Sequence, residues 1–283
     1  MIEAELQTIS RLTGIDKTAI RFSDEGFLSR GYIIDNGRIV FKFKKWPEVS
    51  YQNEIQTLNL INSLNLGVNL QKVNWISKDD SYLGLYGVVG QPLNSLNLDA
   101  TACKNYGQQI GTFLQKLHSA NPPKAGKLPL AAEINEWQKR FHDSKDVLLR
   151  YFSDAEITKM AIFVHSIVPR QLTALGEKLV FSHGDLWMGN ILIDPKGQIG
   201  VIDFSDSGYL DEAADFMDLE DTKLCAEVLS TYQADAKLKA KVKIRQIIRP
   251  MFVIGTYRDQ PAEKIQPFVA AIRQWLRQTD VSS

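Results

Sequence analysis

The sequence predicts an α+β fold with two lobes, a small β-rich lobe over residues 1–90 and a larger, mainly helical lobe over residues 91–283. In the first part, short apolar runs alternate with turn residues, and Asn36-Gly37 is typical of a β-hairpin turn. After residue 93, apolar residues recur at helical spacing over much of the chain. The Gly- and Pro-containing segment 87–93 between these parts is therefore the expected hinge.

The first lobe is predicted to open with a helix over residues 2–13, because Leu6, Ile9 and Leu12 share one side at helical spacing. The chain then changes to short apolar runs that are suited to strands. The other predicted elements of this lobe are strands over 20–22, 32–34, 38–43, 73–76 and 82–86, and a helix over 49–64.

The second lobe is predicted to begin with a helix over residues 99–119. Ser153 or Asp154 is the expected N-cap of a later helix. Another helix is predicted to start at Leu210. The remaining predicted elements are helices over 132–152 and 154–175, strands over 179–181, 191–193 and 199–202, and helices up to about residue 277.

The composition is that of an ordinary globular protein with balanced charge. The 33 Lys and Arg residues match 33 Asp and Glu residues, so nothing global indicates nucleic acid or an anionic membrane as a partner. Cys103 and Cys225 are too few for a disulfide framework. No signal peptide and no apolar run of transmembrane length is visible. We expect a cytoplasmic protein without nucleic-acid or membrane partners.

The most informative segment is 182–190, in which Asp185 precedes Asn190 by five residues, followed by Asp203 about one hairpin later. Phosphoryl transfer needs a carboxylate that orients the attacking hydroxyl, and an amide and a carboxylate that hold Mg²⁺. We predict the first role for Asp185 and the second for Asn190 and Asp203. An Asp after Gly is often only a turn residue, and the combination favours catalysis. His183 is expected to brace the loop without acid–base work.

A phosphate-binding lysine is predicted on the strand over 38–43. Lys42 and Lys44 lie on the same face of this strand, so spacing alone does not choose between them. Glu54, on the following helix, is a candidate ion-pair partner. The turn over residues 23–31, which includes Gly26 and Ser29, is a weaker candidate for covering phosphates with backbone N–H groups.

With these residues in view, the chain resembles the aminoglycoside phosphotransferase and choline kinase family, the small-molecule branch of the protein-kinase-like fold. The resemblance implies that Asp185 is catalytic, that Asn190 and Asp203 bind Mg²⁺, and that Lys42 binds phosphate with Glu54 as its partner. It also implies ATP or GTP as co-substrate. The nucleotide would be held by the turn with Gly26 and Ser29, and its base by backbone groups near Gly87 and Val89.

The finer placement is most similar to the branch that phosphorylates the 2″-hydroxyl of aminoglycosides, on residues 43–44, 53–55 and 89–93. Residues 186–187 are also similar to the matching pair in fructosamine kinases. Residues 202–204, however, differ from the motif that those kinases usually carry at this position. The neutral chain contrasts with the acidic enzymes that bind polycationic drugs. Antibiotic resistance is therefore a candidate role only, and the oligomeric state stays open.

The segment 200–222 is rich in acidic residues and contains no Lys or Arg. Such a cluster is often a solvated helix face, and Asp211 is a natural helix N-cap with Asp215 in the first turn. Because the segment follows Asp203, its carboxylates are also candidates to attract an amine-bearing substrate. The candidate substrate residues are Asp206, Glu212, Asp218, Glu220 and Asp221.

The sequence thus predicts a kinase that transfers the γ-phosphate of ATP or GTP to a hydroxyl of a small, amine-bearing, aminoglycoside-like molecule. Other acceptors stay open, namely choline, homoserine, a thioribose, a macrolide or a ketosamine. A second hypothesis is a catalytically silent binding protein with a kinase-like fold, which the presence of all five motif residues disfavours.

Overall fold

A computed structural model describes residues 1–278 except 25, 27, 123, 124 and 220. Its N-terminal part is a five-stranded antiparallel sheet, and its C-terminal part is mainly helical with two small sheets, as predicted. The strands are β1 (Arg21–Ser23), β2 (Ser29–Ile34), β3 (Ile39–Lys44), β4 (Asn69–Leu70), β5 (Lys72–Ile76), β6 (Tyr82–Tyr86), β7 (Gln91–Pro92), β8 (Leu179–Ser182), β9 (Ile191–Ile193), β10 (Ile199–Val201) and β11 (Gly208–Asp211).

The helices begin with α1 at the N-terminus, which has the predicted bounds. In chain order they are α1 (Ile2–Thr13), α2 (Gln52–Ile61), α3 (Ala100–His118), α4 (Leu130–Asp143), α5 (Lys145–Leu148), α6 (Asp154–Ile162), α7 (Val168–Leu175), α8 (Thr222–Tyr232), α9 (Ala236–Val253) and α10 (Ala262–Gln278). A π-helical turn joins α6 to α7, and a Ser153 capping box starts α6.

The five-stranded sheet has the order β1-β2-β3-β6-β5. The predicted β2–β3 hairpin turns at Asp35–Gly37, where all three residues have positive φ. Asp, Asn and Gly adopt this region at lower cost than other residues, which explains why the turn forms here. Helix α1 covers one face of the sheet through Ile9, and Tyr32 and Phe41 lie in the same apolar cluster.

The C-terminal part forms a two-stranded sheet, β11-β8, and contributes β10, β9 and β7 to a four-stranded sheet, β4-β10-β9-β7, whose strand β4 comes from the N-terminal part. Its apolar residues form two separate buried clusters. One cluster surrounds α3, α8 and the small strands and is continuous with the underside of the five-stranded sheet. The other is built by α4–α7, the second half of α9, and α10. We call these the catalytic core and the helical core.

The helix predicted to start at Leu210 is wrong, because residues 208–211 form β11. This strand pairs antiparallel with β8, and the Tyr209 N–H donates to the Gly126 carbonyl at 2.7 Å. Asp211 is therefore a strand residue and not a helix N-cap. Backbone pairing to β8 overrides the local helix signal, and the next α-helix begins at Thr222.

The continuous helix predicted over 132–152 is also wrong, since α4 and α5 are separated at Ser144. The Ser144 hydroxyl donates to the Arg140 carbonyl at 2.7 Å and also reaches the Phe252 carbonyl. A serine that bonds to backbone groups in this way competes with the helix ladder. Among the described residues, none of the helices combines the length and apolarity needed to cross a bilayer.

Candidate active site

The predicted catalytic loop follows β8 and begins with a turn that requires glycine. Gly184 has a φ of 87°, and a Cβ at this position would lie only 2.2 Å from the carbonyl oxygen of Asp206. The loop is therefore in direct contact with the segment that follows Asp203. Asp185 comes directly after this turn and is half-buried.

His183 braces the loop, as the sequence predicted. Its buried imidazole Nε2 lies 3.0 Å from the Ile202 carbonyl oxygen, and Nδ1 accepts from the Asp185 N–H at 3.2 Å. Because a carbonyl oxygen can only accept, the hydrogen-bond network assigns the proton to Nε2 and the ring is neutral. Burial lowers the pKa of His183, in agreement with this neutral form. Both ring nitrogens are occupied by the backbone.

Asp215 holds the backbone of the predicted catalytic loop, a role that its sequence position did not indicate. Its buried carboxylate accepts from the N–H groups of His183 and Gly184, both at 2.9 Å, and from His118 Nε2 at 3.0 Å. Burial alone would raise the pKa of Asp215, but the hydrogen bond and charge of His118 lower it. The residue lies in the short 3₁₀ turn Ala214–Phe216 and not in the first turn of a long helix. An acid flanked by apolar residues was the available signal.

Asn190 joins this loop to the predicted metal site. Its side-chain N–H groups donate to the Asp185 carbonyl at 2.9 Å and to Asp185 Oδ2 at 3.1 Å. The amide oxygen is thereby left as an acceptor or a metal ligand. Burial raises the pKa of Asp185 to about 7, and the negative charges of Asp206 and Asp203 act in the same direction.

Lys42 connects the five-stranded sheet to Asp203. Its Nζ lies 2.7 Å from Glu54 Oε1 and 2.9 Å from Asp203 Oδ1, although 161 residues separate Lys42 from Asp203 in the chain. Burial would raise the pKa of Asp203, but the Lys42 ammonium lowers it to about 2, so this carboxylate is ionised at neutral pH. Asp203 also has a φ of 65°, which is uncommon for a residue with a side chain.

The structure distinguishes the two lysines that the sequence could not. Lys44 points to a different place, where its Nζ donates to the Val49 carbonyl at 3.1 Å and lies 3.8 Å from Asp80. Lys42 is the lysine that meets Glu54 and Asp203, as the family resemblance implied.

The turn before β2 is tight at its predicted glycine. A Cβ on Gly26 would lie 2.6 Å from the Ser29 carbonyl oxygen, so a side chain would displace the turn. The Ser29 hydroxyl lies 2.9 Å from the hydroxyl of Tyr51, a buried residue that directly precedes α2. The predicted phosphate-covering turn is thereby linked to the helix that presents Glu54.

One of the two predicted hinge residues already has its backbone N–H in a hydrogen bond within the protein. The Gly87 N–H donates to the Arg38 carbonyl at 2.8 Å, so this donor is not available to a nucleotide base. Val89 is the other predicted hinge residue. A cavity of about 610 Å³ touches Gly87 and Val89, but its lining includes Asn69 and Asp194 and none of the predicted phosphate, metal or catalytic side chains. This cavity is therefore distinct from the predicted phosphate and metal site.

The acidic residues predicted to bind substrate lie in different environments. The Glu212 carboxylate binds Lys178 at 2.8 Å and Lys241 at 3.0 Å. Asp218 is mostly buried and pairs with Arg249. These acids neutralise cations of the protein itself, and the expectation that they form an open anionic surface is not met.

Asp221 is the N-cap of α8, where its Oδ1 accepts from the N–H groups of Lys223 and Leu224, each at 2.9 Å. Asp206 differs from the others, since its exposed carboxylate has no hydrogen-bond or ion-pair partner within the described residues. Partial desolvation and the charge of Asp203 raise the pKa of Asp206. Glu220 lies outside the described residues.

A buried charge network lies between the catalytic core and the helical core. Lys241 binds Asp211 at 2.9 Å, and Arg245 binds Glu133 at 2.8 Å and Asp211 at 3.2 Å. The Arg245 guanidinium, which is 0% exposed, also stacks on Trp137 with 4.9 Å to the ring centre. Asp211, predicted as a helix cap, thus anchors α9 to β11.

Residues 20–243 match the phosphotransferase enzyme family. The chain belongs to this family. It is a small-molecule phosphotransferase, and the motif around Asp185 and Asp203 lies inside the matched region. The matched region also contains Lys42, Glu54 and Asp215.

Solved structures with similar folds cover nearly the whole chain. A GDP and kanamycin complex of an APH(2″) enzyme has a TM-score of 0.75 at 16% identity, covering 97% of this chain and 98% of that chain. Macrolide 2′-phosphotransferase MphH from Brachybacterium faecium has a TM-score of 0.64 at 17% identity, covering 95% and 98%. Choline kinase LicA from Streptococcus pneumoniae has a TM-score of 0.64 at 18% identity, covering 97% and 99%. At these identities the likeness establishes the fold.

Proposed function

We propose that this protein transfers the γ-phosphoryl group of magnesium-bound ATP or GTP to a hydroxyl of a small, amine-bearing molecule. The observation that carries the proposal is the meeting of Lys42, Asp203 and the Asp185–Asn190 loop at the junction of the two parts of the chain. We place the lobe boundary at residue 90, with the nucleotide between the lobes. Related folds solved with GDP, ADP or ATP support a nucleotide as the co-substrate.

The residues present fit a divalent cation. Asn190 keeps a free amide oxygen, and the ionised Asp203 side chain is 39% exposed, so both offer hard oxygen ligands. A bound Mg²⁺ would neutralise charge on the nucleotide phosphates. Lys42, which balances two carboxylates in the free protein, is positioned to bind phosphate oxygens as a point charge.

Asp185 is proposed to orient the acceptor hydroxyl and take its proton. A carboxylate with a pKa of about 7 is a competent base near neutral pH. The acceptor oxygen forms the new bond to the γ-phosphorus, and the bond from phosphorus to the β–γ bridging oxygen breaks. The nucleoside diphosphate leaves with that electron pair, and the hydroxyl proton passes to Asp185.

Asp206 is the proposed anchor for the acceptor amine. Its backbone packs on Gly184, next to Asp185, and its carboxylate is exposed and without a protein partner among the described residues. Replacing Asp206 with Asn should raise KM for an amine acceptor about 10-fold, because one charge-assisted hydrogen bond is weakened. The KM for nucleotide should change little. An unchanged acceptor KM, measured by steady-state kinetics, would remove Asp206 from the acceptor site.

The direct test is a coupled assay of nucleoside diphosphate release with Mg·ATP and Mg·GTP. Aminoglycosides, choline, homoserine, macrolides and ketosamines would be supplied as acceptors, with ³¹P NMR to identify the phosphorylated hydroxyl. Acceptor-dependent release is expected with one of the amine-bearing classes. Binding of Mg·nucleotide without release on any of these acceptors would instead support the catalytically silent alternative.

A further inference from the structure

Helix α2 contacts the segment that follows Asp203. The side-chain amide of Asn53, in the first turn of α2, donates to the Ser205 carbonyl at 2.7 Å and to the Ser207 carbonyl at 3.1 Å. Only residues 204–207 separate Asp203 from β11. One side chain of the N-terminal part therefore holds two of these four residues.

A second side chain holds Asp203 itself. Gln71 is 3% exposed, and its Oε1 accepts from the Asp203 backbone N–H at 3.1 Å. The Gln71 carbonyl accepts in turn from the Asn62 side chain at 2.7 Å. Asp203 is held at a φ of 65°, where a backbone donor without this acceptor would be left unsatisfied.

Asn53 ties the first turn of α2 to the Asp203 segment independently of the ion pair between Lys42 and Asp203. Gln71, which lies just before β5, links Asp203 to Asn62 at the C-terminal end of α2. Asn53 and Glu54 are neighbours in the first turn of α2. Asn53 binds the carbonyls of residues 205 and 207, and Glu54 binds Lys42. Lys42 must exchange part of its contact with Asp203 for phosphate oxygens when a nucleotide binds. The contacts of Asn53 and Gln71 use backbone groups that need not change in that exchange.

We propose that Asn53 and Gln71 are positioning residues, which hold the Asp203 segment against α2 so that the metal-binding carboxylate is in place before Mg·nucleotide arrives. The inference rests on the function proposed above, since it assigns these residues to the assembly of the same nucleotide site. It predicts an enzyme whose cleft needs no separate ordering step between α2 and the Asp203 loop.

The test is the Mg²⁺ and nucleotide dependence of Asn53→Ala, Asn53→Asp and Gln71→Met, with Gln52→Ala as the matched control. Asn53 and Gln52 are both exposed on the first turn of α2, so their substitution does not open the core. Asn53→Asp keeps the shape but removes the N–H donors. We expect an increase of about 10-fold in the Kd for Mg·nucleotide and in the Mg²⁺ concentration for half-maximal rate with the Asn53 and Gln71 variants. The control should match the wild type.

Calorimetric titration without an acceptor separates this inference from the proposed function. If the wild type and the Asn53 variants bind Mg·nucleotide equally, while only Tm changes, the residues are merely structural and the inference is wrong. If the wild type itself binds no Mg·nucleotide, the proposed function fails and this assignment fails with it. An unchanged KM for acceptor alongside the weakened nucleotide binding supports the positioning role.

Discussion

The catalytic loop over 183–190 and the acidic segment over 200–222 are both rich in charged or polar side chains, yet the structure uses them differently. In the loop, Asp185 and Asn190 meet each other. Asp203, which opens the acidic segment, is the acid of that segment that meets Lys42. In the acidic segment, most side chains neutralise cations or cap a helix. Ordered spacing indicates a site, whereas a high density of one charge does not.

The physical reason for this difference is burial. An acid in a loop at the cleft stays near water and can exchange a protein partner for a ligand. A carboxylate inside the fold must be paired, because an unpaired buried charge is costly. Asp211 and Glu212 are buried, and α9 supplies Lys241 to both of them.

The largest expected effect tests the catalytic loop. Asp185→Ala should lower kcat by about 10²–10⁴-fold, because the group that accepts the hydroxyl proton is lost. Nucleotide binding should survive, since the phosphate and metal side chains remain. Single-turnover kinetics and calorimetry would measure the two quantities separately. Near-normal turnover in this variant would contradict the role given to Asp185.

The next effect tests the acidic segment as a structural element. Arg245→Ala should lower the free energy of unfolding by about 3–5 kcal/mol, because Glu133 is left buried without a cation and Asp211 keeps only Lys241. Arg150→Ala is the matched control, since Arg150 is exposed and its pair with Asp146 should contribute less than about 1 kcal/mol. Urea titration measures both. Equal losses would show that this network does not join the two cores.

A pH series examines the point where the two regions touch, at Asp215. The unfolded carboxyl titrates near pH 3.9, and the folded pKa is lower. The stability that the ionised Asp215 carboxylate contributes to the fold is therefore fully present above about pH 4. It is lost as the pH falls through the pKa of Asp215 in the folded protein. Asp215→Asn should remove about 2 kcal/mol of this pH-dependent stability. Unfolding curves of the wild type and the variant would be compared from about pH 2.5 to about pH 6, a range that spans this transition. Parallel pH dependence in the two proteins would refute the assignment.

The smallest expected effect concerns Asp221. Asp221→Ala should cost about 1 kcal/mol of stability through the lost α8 cap. The values of kcat and both KM should stay unchanged, while Asp221→Ser should retain most of the stability. Thermal unfolding and steady-state kinetics would measure these effects. A raised acceptor KM for the alanine variant would return Asp221 to the acceptor site.

Much of the fold could be predicted from the sequence, since apolar periodicity and the Asn36-Gly37 turn are local signals. The contact between Lys42 and Glu54 was also expected and is present. The partners of Asp211 could not be predicted, because they lie about thirty residues further along the chain. Local propensity suggested a helix cap there, and pairing of β11 with β8 decided otherwise.

The charged layer between the two cores has a consequence for how the chain reaches one native arrangement. Apolar surfaces slide over one another at little cost, but a guanidinium bound to Glu133 and Asp211 fits in one orientation. We expect this layer to set the rotation and register at which the helical core docks, more than the strength of docking. In hydrogen exchange, the two cores would then open as separate cooperative units, with the charged layer fixing a single orientation between them.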